Sequence, residues 1–141
     1  MNHQNYLKLV FPSYPGNEAF AKTAVTSLAC RLDPSLQEMG EIRTAVLEAV
    51  TNCIIHAYPC GRGIITLRCR ILKDNILDIV VKDSGVGIPN LEQAKKPLHT
   101  TGGSEHRGMG FTIMESFMTS FSVTSVPGKG TTVHMKRRIR K

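Results

Sequence analysis

The chain has 141 residues, of which 18 are Lys or Arg and 11 are Asp or Glu, so its formal net charge is +7. This length is typical of one domain, and we expect residues 1–141 to form one. With 41% hydrophobic and 21% charged residues, the composition is globular and excludes a disordered chain. No apolar run approaches the roughly 18–20 residues that span a bilayer, and no signal peptide is visible. We therefore expect a cytoplasmic protein with no membrane partner.

Hydrophobic periodicity predicts strands (β) and helices (α) in the order βααββ, a long loop, then αββ. A strand at 6–11 is followed by a helix that Asn17 can cap, running to about Leu32. Asp33-Pro34 predicts the start of a second helix, which ends at about Ala57. The later predicted elements are strands at 65–71 and 77–81, a helix from about Gly108, and strands near 121–126 and 131–139.

Strands with one apolar face and amphipathic helices predict an α+β fold. We expect a two-layer α/β sandwich with a mixed, mostly antiparallel sheet and helices on one face. The segment from about 84 to 107 is rich in Gly, Pro and polar residues. A loop this long inside a compact domain is typical of a lid.

The C-terminal residues are strongly basic, and a basic patch can bind nucleic acid through its phosphates. No aromatic residue interleaves with this run for base stacking. We therefore favour a solvated strand end and expect no direct nucleic-acid partner. Five of the seven net charges come from Lys136, Arg137, Arg138, Arg140 and Lys141.

Glu48, Asn52 and His56 follow one another at intervals of four residues, so they lie on one side of the second predicted helix. A carboxylate can accept a proton from a hydroxyl, and an amide oxygen one turn later can hold a hard cation such as Mg²⁺. The alternative for this motif alone is a solvated stripe on an amphipathic helix. We interpret His56 as structural, because no second His stands at zinc spacing.

Asp83-Ser84-Gly85-Val86-Gly87 stands where an apolar strand ends. Asp83 could accept a proton from an exocyclic amino group, while Gly85 and Gly87 allow a tight turn and close approach of the backbone to a ligand. An ordinary strand-to-loop turn is the alternative.

Arg107-Gly108-Met109-Gly110 opens the third predicted helix. Backbone amides at a helix start form an anion site that glycines leave accessible, and Arg107 could add charge-assisted hydrogen bonds. A Gly-rich loop before a flexible helix start is the alternative. The pattern is not a P-loop, because no G-K-[ST] follows.

In this order, the three motifs resemble the Bergerat-type ATP-binding fold shared by DNA gyrase, the ninety-kilodalton heat-shock chaperones, histidine kinases and mismatch-repair ATPases. A closer resemblance is to the bacterial anti-sigma factors that are also serine kinases, and among them to the sporulation anti-sigma F factors. It covers about Leu7 to Met135 and is carried by the segments LEAVTNCIIHAY, VKDSGVGI, KPLHTT and GMGFTIMESFM.

The resemblance implies a role for each motif residue. Glu48 would be the general base for the attacking serine hydroxyl, and Asn52 would coordinate Mg²⁺. Asp83 would accept a hydrogen bond from the adenine amino group, with Thr132 supporting it. The other implied nucleotide-binding residues are Gly85 and Gly87 beside the base, Thr100 and Thr101 in the lid, Arg107 at the terminal phosphate, and Gly108, Met109 and Gly110 at the helix start.

The resemblance also implies a biological role. The protein would bind ATP or ADP with Mg²⁺, inhibit a sporulation RNA polymerase sigma factor, and phosphorylate a serine on a small anti-anti-sigma antagonist. It would form a homodimer, through the first strand and first helix. A related stress-response anti-sigma kinase and a histidine-kinase-like ATPase module are the alternatives.

Overall fold

A computed structural model describes residues 5–58, 61–87 and 104–140, and for 104–109 the backbone alone. Within these ranges the strands and helices follow the predicted order. A 3₁₀ turn at Cys30–Leu32 follows the first helix, and a π-helical segment at Cys53–Ala57 extends the second. The elements are β1 (Tyr6–Pro12), α1 (Glu18–Ala29), α2 (Leu36–Asn52), β2 (Ile64–Leu72), β3 (Ile76–Asp83), α3 (Ser104–Phe117), β4 (Ser120–Val126) and β5 (Gly130–Arg138).

The five strands form one sheet in the order β1-β2-β3-β5-β4. Every pairing among the described strands is antiparallel, so the expectation of a mixed sheet was wrong. Tight turns, which can join antiparallel strands but not parallel ones, connect β2 to β3 and β4 to β5. The two-layer α+β prediction is confirmed. This order places β3 at the centre, so the residues that follow it lie beside β5.

The core lies between one face of the sheet and the three helices. Alternate strand residues such as Leu67, Ile79 and Met135 are fully buried there, in one cluster with Val46 of α2 and Met114 of α3. Successive strand side chains point to opposite faces, so the intervening residues form a second face. No helix among the described residues is long and apolar enough to span a bilayer.

The predicted start of α2 at Asp33-Pro34 was wrong by two residues. Asp33 takes a left-handed conformation, with φ of 53°, and ends the 3₁₀ turn. The N-cap is Ser35, whose hydroxyl accepts from the Glu38 amide at 3.0 Å, while the Glu38 carboxylate accepts from the Ser35 amide at 2.9 Å. This reciprocal capping box satisfies two amides that the helix itself leaves without acceptors, which decides where α2 begins.

Candidate functional site

A recess lies between α2, α3 and the ends of β3 and β5. Residues from all three sequence motifs or their neighbours line it, among them Asn52, Asp83, Gly87, Phe111 and Thr131. Its cavity volume is about 20 Å³, which is room for about one water molecule. The segments that are far apart in the sequence therefore converge, and the recess between them is small.

Asn52 is the last residue of α2 and is only 8% exposed. Neither its side-chain oxygen nor its side-chain nitrogen has a hydrogen-bond partner among the described residues. A buried polar group without a partner costs about 1–3 kcal/mol, so a ligand that paired with this amide would remove that cost. Its oxygen is of the type that Mg²⁺ prefers.

The rest of the surroundings are compatible with such a cation. Within the described ranges no cluster of three or more His, Cys, Asp or Glu could hold a metal ion. Mg²⁺ commonly takes only one or two protein oxygens and completes its shell with phosphate oxygens and water. A single buried amide oxygen therefore fits a cation that arrives with a phosphate ligand.

Glu48 lies one turn before Asn52, on the same side of α2, as predicted. Gly110 of α3 approaches both: a Cβ added there would lie 2.9 Å from Glu48 Oε2 and 3.3 Å from Asn52 Nδ2. A contact of 2.9 Å is shorter than real Cβ atoms show. Only glycine therefore lets α3 pack at this point without displacing the carboxylate. The structure thus brings together the first and third motifs; His56 is half-buried in the π-helical segment.

The predicted helix start at Gly108 was wrong, because α3 begins at Ser104. Ser104 and Glu105 are residue types that favour a helix start. Amides four or more residues into a helix donate hydrogen bonds within that helix. In this conformation the amides of Gly108, Met109 and Gly110 are therefore not free to donate to an anion. The side chains of Arg107 to Met109, and the predicted lid residues Thr100 and Thr101, lie outside the part of the chain that is described.

Asp83 ends β3 and is 4% exposed. Its Oδ1 accepts hydrogen bonds from the Gly85 amide at 2.9 Å and the Thr131 amide at 3.2 Å. Its Oδ2 receives no hydrogen bond from the residues that the structure describes. Two backbone donors therefore hold the carboxylate in one orientation, and its second oxygen stays available as an acceptor.

The prediction that Thr132 supports Asp83 was wrong by one residue. The register of β3 and β5 places Thr131 opposite Asp83, and Thr132 opposite Lys82. Because side chains alternate along a strand, Thr132 lies on the other face of the sheet. The alternation along β5 could have indicated this from the sequence. Thr131 lies on the same face of the strand as Val133 and Met135, both of which are buried.

The glycines after β3 allow two close approaches. A Cβ at Gly85 would lie 2.2 Å from the Ala57 carbonyl oxygen, to which the Val86 amide donates at 2.9 Å. Gly87 has φ of +76°, and a Cβ there would lie 2.5 Å from the Val126 carbonyl oxygen. The turn therefore fits between the end of α2 and the β4–β5 turn only with glycines, which confirms the predicted tight turn.

No sequence pattern indicated a role for Tyr58, which follows the predicted end of the second helix. Its hydroxyl donates to the Ile64 carbonyl oxygen at 2.8 Å and accepts from the Ser84 amide at 2.8 Å. A Cβ at Gly63 would lie 2.1 Å from its ring. Burial raises the pKa of Tyr58, so the hydroxyl keeps the proton that it donates. Tyr58 thereby connects the end of α2, the start of β2 and the turn after Asp83.

A family model described as a histidine kinase-like ATPase domain matches residues 11–137. The chain is 51% identical over 140 residues to an anti-sigma F factor from Caldanaerobacter subterraneus subsp. tengcongensis, covering 99% of this chain and 97% of that one. It is 46% identical over 136 residues to an anti-sigma F factor from Clostridium acetobutylicum, with 96% and 94% covered. It is 44% identical over 140 residues to one from Bacillus licheniformis, with 98% and 95% covered.

Two solved structures have the same fold. The RsbU and RsbW domains of a Mycobacterium tuberculosis protein match with a TM-score of 0.72 at 14% identity, covering 97% of this chain and 33% of that one. The histidine kinase domain of a blue-light activated kinase from Erythrobacter litoralis matches with a TM-score of 0.58 at 21% identity, covering 86% and 60%. Sequence, fold and the converging motifs agree, and the chain belongs to the anti-sigma F factor family, with a histidine kinase-like ATPase domain.

Proposed function

We propose that this protein is an ATP-dependent serine protein kinase and an anti-sigma factor. It binds and inhibits a sporulation sigma factor of RNA polymerase and phosphorylates a serine on the small antagonist of that inhibition. The observation that carries the kinase half is the buried amide of Asn52, one turn after Glu48, which has no hydrogen-bond partner among the described residues. It lies in the recess that Asp83 also lines. The names of the anti-sigma F factor relatives support the sigma-factor half.

The residues divide the work of phosphoryl transfer. Asp83 accepts a hydrogen bond from the adenine amino group through Oδ2, and Gly85 and Gly87 let the turn approach the base. Asn52 would hold Mg²⁺, which would supply charge neutralisation on the phosphates. Glu48 accepts the proton of the serine hydroxyl while the serine oxygen bonds to the γ-phosphorus. The bond between that phosphorus and the β–γ bridging oxygen breaks, and ADP leaves.

The small volume of the recess adds a conformational step to the proposal. An adenine ring does not fit in about 20 Å³, and the recess is bounded on one side by Phe111 of α3. A Cβ added at Gly110 of the same helix would lie 2.9 Å from Glu48 Oε2 and 3.3 Å from Asn52 Nδ2. We therefore propose that the N-terminal part of α3 moves away from α2 when nucleotide binds. The same movement would free amides of Gly108, Met109 and Gly110 for phosphate, and would bring Arg107 and the lid residues Thr100 and Thr101 to the nucleotide.

A homodimer through β1 and α1 forms part of the proposal. β1 is an edge strand of the sheet, and unpaired strand edges are ready templates for another chain. Close to it in sequence, Tyr14 and Phe20 are large apolar residues that are 53% and 56% exposed. These features support an interface between two copies of the chain. The mass of the protein in solution, measured by sedimentation, tests whether two copies associate.

The decisive experiment measures transfer of the γ-phosphate to the antagonist and ATP binding on the same proteins. We expect Glu48→Gln to lower the rate of transfer by at least about a hundredfold, while calorimetric ATP affinity stays within about threefold. Glu115→Gln, an exposed residue of α3, is the matched control and should transfer normally. Equal transfer rates for the two variants would contradict the assignment of the base, and phosphate on histidine instead of serine would contradict the serine-kinase proposal.

The adenine role is tested separately. We expect Asp83→Asn to weaken ATP binding by about tenfold or more, because a carboxylate acceptor becomes an amide. Asp74→Asn is the control, since Asp74 lies in the β2–β3 hairpin with its side chain 74% exposed. An unchanged dissociation constant for Asp83→Asn would refute this role.

A further inference from the structure

The second face of the sheet, opposite the helices and the nucleotide recess, carries a basic groove. It is formed where β1, β2 and β3 lie side by side, and its cavity volume is about 290 Å³. Lys8, Arg68 and Lys82, one from each strand, are all exposed on it. The groove is floored by uncharged side chains of β2 and β3, namely Ile64, Thr66 and Val80.

No carboxylate of the described residues neutralises these three cations. Lys8, Arg68 and Lys82 form no ion pair or side-chain hydrogen bond within residues 5–58, 61–87 and 104–140. Another cation on the same face, Arg70, does form an ion pair, with Asp78 at 2.8 Å. The groove is thus a distinct group of unpaired charges on a face where carboxylate pairing also occurs.

The strand register makes this arrangement costly for the isolated chain. Lys8 lies directly opposite Arg68 in the β1–β2 pairing, and like charges at directly opposite positions destabilise a sheet. An anionic partner would remove that repulsion. The register therefore points to a ligand that brings negative charge to this groove.

The partner also needs apolar side chains. Ile64 in the groove and Val10 next to it on β1 are 53% and 54% exposed, and Val10 lies opposite Thr66 in the register. A phosphate backbone offers nothing apolar to cover these side chains. A polypeptide with acidic and aliphatic residues matches both properties of the surface.

A second copy of this chain fits this groove poorly, because it would bring two sets of the same three cations together. The homodimer proposed above uses the edge of β1 and α1 and not this face. We infer that the groove of Lys8, Arg68, Lys82 and Ile64 docks an acidic, partly aliphatic segment of a different protein. This surface is separate from the nucleotide recess and does not depend on the proposed kinase activity.

The test uses a fluorescently labelled peptide of repeated Glu-Glu-Leu units, with fluorescence anisotropy at low salt as the readout. We expect the unsubstituted protein to bind it, and the triple variant Lys8→Glu, Arg68→Glu, Lys82→Glu to lose about tenfold or more in affinity. The control variant Arg31→Glu, Arg43→Glu, Lys73→Glu has the same net charge and changes exposed cations outside the groove. It should keep most of the affinity.

A milder triple replacement of the groove cations by Gln keeps the test valid if the charge-reversed protein does not fold. Equal loss of affinity in the groove variant and the control would show general electrostatics and overturn the proposal. Tighter binding to duplex DNA than to the peptide, lost with the same groove residues, would make the face a nucleic-acid surface and overturn it too. A change in sedimentation mass when Arg68 and Lys82 alone are replaced by Glu, with Lys8 of β1 unchanged, would assign the face to a second copy and likewise refute it.

Discussion

Replacing Gly110 by Ala separates the contribution of helix propensity from the contact with the proposed base. Gly40 provides the comparison, because it lies inside α2 and a Cβ there would meet nothing within 4 Å. Ala in place of Gly in a helix interior stabilises by about 0.5–1 kcal/mol. Gly40→Ala should therefore raise the free energy of unfolding by about that amount.

Gly110→Ala gains the same propensity but places a Cβ 2.9 Å from Glu48 Oε2. Overpacking of this kind costs about 1–3 kcal/mol. The carboxylate is the end of a flexible side chain, so we expect the lower part of that range. The net change in unfolding free energy then lies between about zero and a loss of about 1.5 kcal/mol, which leaves the protein folded.

The effect on phosphoryl transfer should be much larger than the effect on stability. In the proposed nucleotide-bound state the amide of Gly110 faces phosphate, and an added methyl group there would displace that phosphate. A displacement of a reacting group by about 1 Å can cost about a hundredfold in rate, so we expect Gly110→Ala to lower the rate of transfer to that extent. Urea unfolding and transfer to the antagonist are measured on both variants, and Gly40→Ala should transfer normally. If Gly110→Ala is as stable and as active as Gly40→Ala, the close approach of α3 to Glu48 is wrong.

Three further changes test other parts of the structure. Tyr58→Phe keeps the ring and removes two hydrogen bonds, so we expect a loss of about 1–2 kcal/mol in urea unfolding together with weaker calorimetric ATP binding. Ser35→Ala removes the N-cap of α2 and should lower the unfolding free energy by about 1 kcal/mol. Burial opposes ionisation of Asp78, but hydrogen bonds from Arg70 and His134 outweigh it and lower its pKa. The stability this carboxylate contributes is present above its ordinary pKa and is lost as the pH falls through the lowered value, so Asp78→Asn should flatten the acid limb of a pH series of thermal unfolding.

Each of these changes has a matched control. Tyr6→Phe should be neutral, since Tyr6 is 73% exposed and its hydroxyl forms no hydrogen bond with any described residue. Ser122→Ala changes an exposed serine of β4 and should leave the unfolding free energy within about 0.5 kcal/mol. Asp74→Asn should keep the acid limb. An effect of Tyr58→Phe on stability without any effect on ATP affinity would show that Tyr58 does not position the turn after Asp83.

Much of the site could be predicted from the sequence, because its residues follow local rules. Glu48 and Asn52 share a side of α2 through helical spacing alone, and Asp83 closes a strand whose alternation is clear. The helix boundaries were less predictable. Asp33-Pro34 has the composition of a helix start, yet the reciprocal hydrogen bonds of Ser35 and Glu38 compete with it and prevail.

Periodicity within each segment, together with the order of three short motifs, was sufficient to establish the elements, the α+β class and the resemblance to anti-sigma kinases. The tertiary structure decided that Thr131 and not Thr132 supports Asp83, that Tyr58 connects three segments, and that Lys8 faces Arg68. These facts depend on the register between strands and on contacts between residues far apart in the chain. Spacing along one segment contains no information about either, because a shift of one residue in pairing moves every side chain to the opposite face.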